Sequence, residues 1–384
     1  MASSFWFHRN PIKASAQQKF DPKGCTTDGQ ALRICGELRQ TRTRLLEILA
    51  VPAESIAAVV TAYTSYIALL QGLIQATDER GGESKLRFFF KFKWTSSLDP
   101  EVGVEQQDAL FDLIHISITL GLWYMKHAAL LAANEKITAE DAKEVHRSLR
   151  LAAGIFQEMQ TNYTGRLLGD VNKGSDTDPR ILLALISQCT AEAQEVTLAR
   201  AVEMKHTPSL ISALANETAK MFSGAEASLS AMKDDHFTSK WVHYLRLKAS
   251  LYEAFAYCYS GESLLAGDQC GPAVRALQES DKLFSAALAQ CKEYNKAKGV
   301  YANNRPEEAT FFRPLKLRIG RILEKCDREN GMIYHQKVPV TPPTLELKAT
   351  YGLVSPEQFS LPPVHPEWTA QTYKAFDLSR IKRN

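Results

Sequence analysis

The chain has 384 residues, 45% of them hydrophobic and 23% charged, a composition that fits a globular protein and excludes wholesale disorder. Lys and Arg number 46 against 43 Asp and Glu, so the formal charge of +3 lacks the basic excess of a dedicated nucleic-acid binder. The seven cysteines (25, 35, 189, 258, 270, 291 and 326) contain no CxxC pair. With an N-terminus that shows no apolar h-region, they predict a reducing cytosol rather than a disulfide scaffold. Ala2 stands where myristoylation needs glycine, and the sequons at Asn162 and Asn216 are then chance matches.

In chain order, residues 4–8 and 12–16 alternate as a short hairpin would. Helical periodicity follows over 28–50 and 54–77. Residues 55–77 run 23 positions without a charge, long enough to span a bilayer. Ile56, Val59, Val60, Tyr63, Ile67, Leu70 and Ile74 nevertheless share one stripe, while Thr61, Thr64, Ser65, Gln71 and Gln75 lie largely off it. That pattern predicts an amphipathic helix in a soluble core. Residues 84–94 mix cations with aromatics, and 91–94 alternate like a strand. A stacking surface for bases or a lipid-dipping loop would read this way, but so would core aromatics with rim cations, which is the reading adopted.

Helices are next predicted over 104–132 and 138–163, the latter opened by Thr138-Ala-Glu-Asp141, a capping box with Asp in place of Glu. Asp178-Pro179 and Thr207-Pro208 each pair an N-cap side chain with proline at the first helical position. Further helices fall at 236–262, 273–296 and 306–328. Residues 244–284 resemble one tetratricopeptide hairpin, with Ala254, Ala256 and Gly261 at packing spacing. Of 16 prolines, only 179, 208 and 272 lie between residues 101 and 305, and nine lie after 305. A helical body at about 28–330 therefore precedes an extended arm at about 331–378. The arm's Leu345, Leu347, Tyr351, Leu353, Val354, Phe359 and Trp368 predict that it packs back on the body.

Catalytic signatures are mostly missing: there is no GxGxxG, Walker loop, GxSxG, HExxH or zinc-spaced Cys/His set. Residues 169–178 superficially resemble a calcium loop, but the glycine is misplaced and no Glu closes it. Asp112-Leu-Ile-His115 and Glu203-Met-Lys-His206 have the carboxylate-x-x-His spacing of di-iron bundles, which makes a helical-bundle metalloenzyme the alternative reading. A tetratricopeptide chaperone adaptor would need a carboxylate clamp that the sequence does not show.

Several blocks carry a family resemblance. Trp6-Phe-His-Arg-Asn-Pro11, Phe92-Lys-Trp94, Asp141-Ala-Lys-Glu-Val-His-Arg-Ser-Leu149, Ala191-Glu-Ala-Gln-Glu-Val-Thr197, Glu329-Asn-Gly-Met-Ile-Tyr-His335 and Ala375-Phe-Asp-Leu378 resemble the Bro-one domain family. The match runs from Phe5 to Leu378 in family order. It implies one mainly α-helical, boomerang-shaped domain over residues 1–384, with a tetratricopeptide-like middle, little or no β structure and an extended C-terminal arm. The implied function is a non-catalytic scaffold of the endosomal sorting (ESCRT) pathway without a cofactor or metal. Relatives bind the C-terminal amphipathic helix of ESCRT-III charged multivesicular body proteins in a concave groove. One subgroup also binds nesprin-type linkers, so the implied location is cytoplasm with recruitment to endosomal or nuclear-envelope membranes.

By the family motif, the groove's apolar contacts fall on Leu210 and Leu214, and a basic contact on Lys143. Thr197 stands where relatives have an aromatic, and Ala139 where they have an acid; both departures put part of the rim in question. Leu210 and Leu214 are four apart and share one helix face, a spacing that ordinary core leucines show as well. Members of the subgroup end in a prenylated Cys-a-a-X box, whereas this sequence stops at Ile381-Lys-Arg-Asn384 and its last cysteine is Cys326. Either the protein continues past Asn384 or this form carries no lipid, and its membrane association is then expected to be indirect.

Overall fold

The structure, a computed structural model, describes residues 5–22, 24–79, 81–134, 137–169, 174–232, 236–297, 306, 312–345, 349 and 352–380. Helices dominate the described residues, and the chain divides into two compact units. One comprises Met1–Asn10, Tyr124–Gly154 and Pro179–Glu357; the other comprises Pro11–Trp123, Ile155–Asp178 and Gln358–Asn384.

The second of these units opens with helices α1 (Gly29–Leu49) and α2 (Ile56–Ile74). Asp28 caps α1 by accepting from the Gln30 and Ala31 amides at 3.0 and 2.9 Å, and Ser55 caps α2 through the Ala58 amide. Helix α2 is long and apolar enough to cross a membrane, yet 56% of its most apolar stretch is buried within the protein. Val59, Tyr63, Ile67, Leu70 and Ile74 of the expected stripe are buried, whereas Val60 is exposed. From Tyr66 to Ile74 the helix is buried all round, because the C-terminal arm covers its other face. The Trp368 indole lies where a Cβ on Gly72 would be, only 2.3 Å away, and its Nε1 donates to the Leu69 carbonyl at 2.8 Å. Only glycine lets the ring approach so closely.

Strands β1 (Phe92–Thr95) and β2 (Gly103–Gln106) pair antiparallel, with Trp94 opposite Val104. Leu86, Phe89, Phe90, Phe92 and Trp94 are core and Lys85, Lys91 and Lys93 are exposed, but Arg87 is buried and Phe88 exposed, so the reading of core aromatics with rim cations holds only in part. Two expectations need correction. No N-terminal hairpin forms among the described residues: the Ala16 amide donates to the Lys93 carbonyl and the Thr95 amide to the Ala14 carbonyl, so the segment lies against β1. Residue 4 lies outside the described residues. The helix expected from 104 begins at α3 (Ala109–Ala132), since residues 103–106 are claimed by β1. Asp108, held by buried Arg87, accepts from the Leu110 amide and starts α3 there.

In the first-named unit, α4 (Ala139–Glu158) begins at the capping box. Thr138 N donates to Asp141 Oδ2 at 3.1 Å and Asp141 N to Thr138 Oγ1 at 3.0 Å. Helices α5 (Pro179–Glu203) and α6 (Pro208–Ser228) start at the prolines, and Thr207 Oγ1 accepts from the Leu210 amide. α7 (His236–Ala266) and α8 (Cys270–Lys296) form the tetratricopeptide-like hairpin. A Cβ on Gly261 would meet Leu277 at 2.7 Å, so the glycine permits this close helix approach. Leu251, Ala254 and Cys258 pack with Val274, Leu277 and Phe284, and α9 (Arg313–Glu329) adds Leu315, Ile319 and Ile322. All seven cysteines are buried and none is in a disulfide.

After a π turn at Asn330–Tyr334 the arm runs extended. Among its described residues it joins no strand, and side chains bond several of its carbonyls. Arg275 Nε donates to the Val340 carbonyl, Asn216 Nδ2 to Leu345, and Arg150 Nε to Ser355. Gln194 grips two points, donating to the Gly352 carbonyl at 2.9 Å and accepting from the Val354 amide at 2.8 Å. Leu353 is 48% exposed rather than packed, and Leu347 and Tyr351 lie outside the described residues.

Candidate functional site

Four elements of one compact unit surround a groove of about 510 Å³. Helix α4 presents Ala139, Ala142, Lys143 and His146; α5 presents Val196, Thr197, Arg200 and Ala201. Leu210 and Leu214 of α6 form one wall, with His206 before that helix and Gly352 of the arm completing the lining. The residues named from the sequence, Lys143, Thr197, Leu210 and Leu214, thus line one groove, and Ala139 lines it with them.

The floor is apolar and the edge cationic. Ala142, Val196, Ala201 and Leu214 are buried, while Leu210 is half-buried. Leu214 is only 2% exposed, and a Cβ on Gly352 (φ +79°) would lie 3.4 Å from its Cδ2. It is therefore both groove floor and core, and the ordinary-core reading of its spacing holds in part. Lys143 stands out into solvent, its Nζ 2.7 Å from Glu140 Oε1, and Arg200 pairs with Glu203 at 3.0 Å. Burial pushes the His146 imidazole below its usual pKa, and nearby Arg150 adds to this while Glu357 opposes it. His146 therefore favours its neutral form.

Buried polar bonds fix the rotation of α5. Glu192 accepts from Arg9 at 2.9 Å, Gln188 at 2.8 Å and Tyr244 at 2.6 Å. Lys248 Nζ lies 3.0 and 2.9 Å from the two carboxylate oxygens of Glu195. Burial pushes the Glu195 carboxyl up to about 7, against the pull of Lys248. Removing either partner of such a buried pair would strand the other charge.

Six lining residues were not singled out from the sequence, Ala142, His146, Val196, Arg200, Ala201 and Gly352, and His206 was named only as a candidate metal ligand. The α4 set 139, 142, 143, 146 follows the i, i+3, i+4, i+7 stripe, so Ala142 and His146 were within reach of periodicity. Gly352 was not, since its place depends on the distant Gln194.

The metalloenzyme reading finds no support in its own residues. Asp112 accepts from Arg42 Nε at 3.1 Å and Nη2 at 2.8 Å, from Trp94 Nε1 at 2.7 Å, and from the Tyr66 hydroxyl. Its oxygens are engaged by donors. Lys13 Nζ lies 2.7 Å from His115 Nδ1, and burial together with Lys13 holds the imidazole well below its usual pKa. Glu203 and His206 are exposed at a helix end. Among the described residues no group of three or more His, Cys, Asp or Glu could hold a metal ion. Of the calcium-like loop, residues 170–173 lie outside the described residues; Asp176 accepts from the Ser97 amide at 2.8 Å and from its hydroxyl.

Comparison with known proteins agrees with this geometry. The sequence profile of the BRO1-like domain matches residues 14–376. The BRO1 domain-containing protein BROX of Homo sapiens is 48% identical over 375 residues, which cover 98% of this chain and 91% of that protein. The solved ALIX BRO1 CHMP4C complex superposes with a TM-score of 0.71 at 17% identity, covering 93% of this chain and 96% of the other. A second structure, described as the basis for endosomal targeting by the Bro1 domain, gives a TM-score of 0.68 at 17% identity, covering 99% and 100%. At that identity the two structures establish the shared fold.

Proposed function

The chain belongs to the BRO1-like domain family, and from that premise we propose that it is an ESCRT adaptor whose α4–α5–α6 groove takes the C-terminal amphipathic helix of an ESCRT-III charged multivesicular body protein. Members of this family are adaptors rather than enzymes and act in endosomal sorting. The structural relative solved as a BRO1 complex with CHMP4C supports the partner class. The observation that carries the reading is the convergence of Lys143, Thr197, Leu210 and Leu214 on one apolar-floored, cation-edged groove.

The geometry suits an amphipathic helix. Apolar side chains repeating at i and i+3 or i+4 would descend on Leu210, Leu214, Val196 and Ala201, excluding water from the floor. Acidic residues on the flank would meet Lys143 and Arg200 at the edge, where charge steers approach more than it adds affinity. Thr197 leaves room where an aromatic would stand, so the groove accepts a bulkier partner side chain at that end. Ala139 removes a carboxylate from the edge and leaves it more cationic.

Residues 1–384 are read as one Bro-one-type domain, supported by a family match that runs through both compact units. The proposed location is cytoplasmic with recruitment to endosomal membranes through the partner. Calorimetry against a panel of ESCRT-III C-terminal helices tests the proposal, with a nesprin-type segment in the same panel because the subgroup resemblance implies that partner too. Binding of at least one ESCRT-III helix that Leu210→Asp abolishes is the expected result. Binding unaffected by Leu210→Asp would place the partner elsewhere.

A further inference from the structure

Helix α5 lines a second depression with its other face. Glu195, Leu198, Ala199 and Val202 border a half-open hollow of about 410 Å³, within the range of roughly 300–1,000 Å³ typical of ligand sites. Tyr252, Phe255 and Tyr259 of α7 are spaced three and four residues apart and form a continuous aromatic wall. Their rings stack in near-parallel pairs with centroids 5.8 and 6.3 Å apart. Leu315 and Leu317 of α9 face this wall, and Leu317 is 74% exposed although it borders an apolar hollow.

Charge is distributed unequally around it. Glu195 on the floor is tied to Lys248. The edge carries Arg318, stacked 4.3 Å over the Tyr259 ring and bonded to Glu262, and Arg321. Arg321 is exposed and makes no ion pair among the described residues. The exposed residues of α9 carry Arg313, Lys316, Arg321, Lys325 and Arg328 against Glu324 and Asp327.

We propose that this hollow docks a short peptide segment presenting an aromatic or aliphatic anchor beside acidic residues, independently of the α4–α5–α6 groove. An apolar anchor between the α7 rings and Leu317 gains area that single-ring contacts do not offer, since aromatic walls bury much surface at little entropic cost. An acidic neighbour then meets Arg321, whose charge no described residue pairs. A bilayer is a poorer fit, since its plane cannot follow a concave surface.

The test uses a displayed library of random 12-residue peptides, selected on the full chain and counter-selected on Arg321→Glu. Both Arg321 and Leu317 are exposed, so Arg321→Glu and Leu317→Asp leave the core untouched, and thermal melts confirm folding. The expected result is enriched peptides with an aromatic or large aliphatic residue next to Asp or Glu. As synthetic peptides they should lose at least about tenfold in affinity to each variant and keep it against Leu210→Asp. Failure to enrich Arg321-dependent peptides would overturn the proposal, as would enriched peptides lost with Leu210→Asp. So would Arg321-dependent sedimentation with phosphatidylserine vesicles in the absence of any such peptide.

Discussion

Two regions carry the residues that a search for function would mark first, and they are built on opposite principles. Around Asp112 every polar group is answered: Arg42, Tyr66 and Trp94 donate to one carboxylate, and Lys13 reaches His115 and Asp176. Around Leu210 the arrangement is reversed, with an apolar floor left half-open and cations held out into solvent. A saturated polar cluster has no capacity left for a ligand and acts as structure. An open apolar floor carries a standing cost that a docked partner would relieve. Of the two carboxylate-x-x-His motifs, Asp112–His115 is thus structural, while His206 of the other only borders the groove that two ordinary leucines mark.

The largest effect expected on the saturated side is from Arg42→Ala. It would leave the Asp112 carboxylate buried with only Tyr66 and Trp94 as donors, at about 3–5 kcal/mol. Chemical denaturation should show the midpoint falling steeply with the slope unchanged. A loss below about 1 kcal/mol would mean that water replaces the guanidinium and that the cluster is less closed than its burial implies. Trp368→Ala comes close behind. It removes the indole against Gly72 together with its bond to Leu69, again about 3–5 kcal/mol. An unchanged melting temperature would show that the arm beyond Gln358 contributes nothing to α2.

On the open side, Leu210→Asp and Leu214→Asp should separate. Leu210 is half-buried and its substitution should cost about 2 kcal/mol or more of partner binding, roughly 30-fold, with little change in melting. Leu214 lies beneath Gly352 at 2% exposure, and a carboxylate there must also be desolvated within the fold. It should lose both binding and stability. If calorimetry and melts show the two variants behaving alike, groove wall and core are not distinct on α6.

How far these features could be read from sequence follows from how local their causes are. The starts of α4 and α6 were legible because Thr138 with Asp141, and Thr207 with Pro208, act within a single turn, and periodicity alone placed α1. Strand β2 was not, since Gly103–Gln106 becomes a strand only by pairing with Phe92–Thr95, and Asp108 starts α3 only because Arg87 holds it. Periodicity marked the apolar side of α2 but not the all-round burial of Tyr66–Ile74, to which Trp368 contributes from about 300 positions away. The same holds at the groove. The family resemblance named Lys143, Thr197, Leu210 and Leu214, where spacing alone favoured ordinary core leucines, but the path that brings Gly352 over Leu214 depends on Gln194 and Asn216 binding backbone that no pattern connects to them.

Between the two regimes stands Glu195, buried like Asp112 but bordering the second hollow. Its folded-state pKa lies above the ordinary carboxylate value, at about 7, so folding takes up a proton there. The contribution is fully present below the unfolded pKa and is lost as pH rises through about 7. His8 runs the other way. Burial, then Arg9, depresses it to about 3, so its contribution is present above the usual histidine value and is lost as pH falls. Glu195→Gln should therefore flatten the decline of stability between about pH 5 and 8 while leaving the acid-side decline intact. Denaturation midpoints across that range decide it; parallel curves for the two proteins would show that Glu195 stays ionised throughout.

The smallest effect is also the one that most sharpens the contrast. Lys143 is well exposed and already paired with Glu140, so its charge works through water and salt. Lys143→Ala should weaken partner binding by at most about fivefold, chiefly through slower association, and the difference should shrink at higher ionic strength. The Leu210→Asp loss should persist there, because a desolvated contact is not screened. Titrations at about 0.05 and 0.5 M salt, read as ratios to the unmodified protein, separate the two. A Lys143→Ala effect that survives high salt would mean that the lysine is drawn into a closed contact once the partner is seated. The edge of the groove would then obey the same rule as the cluster around Asp112.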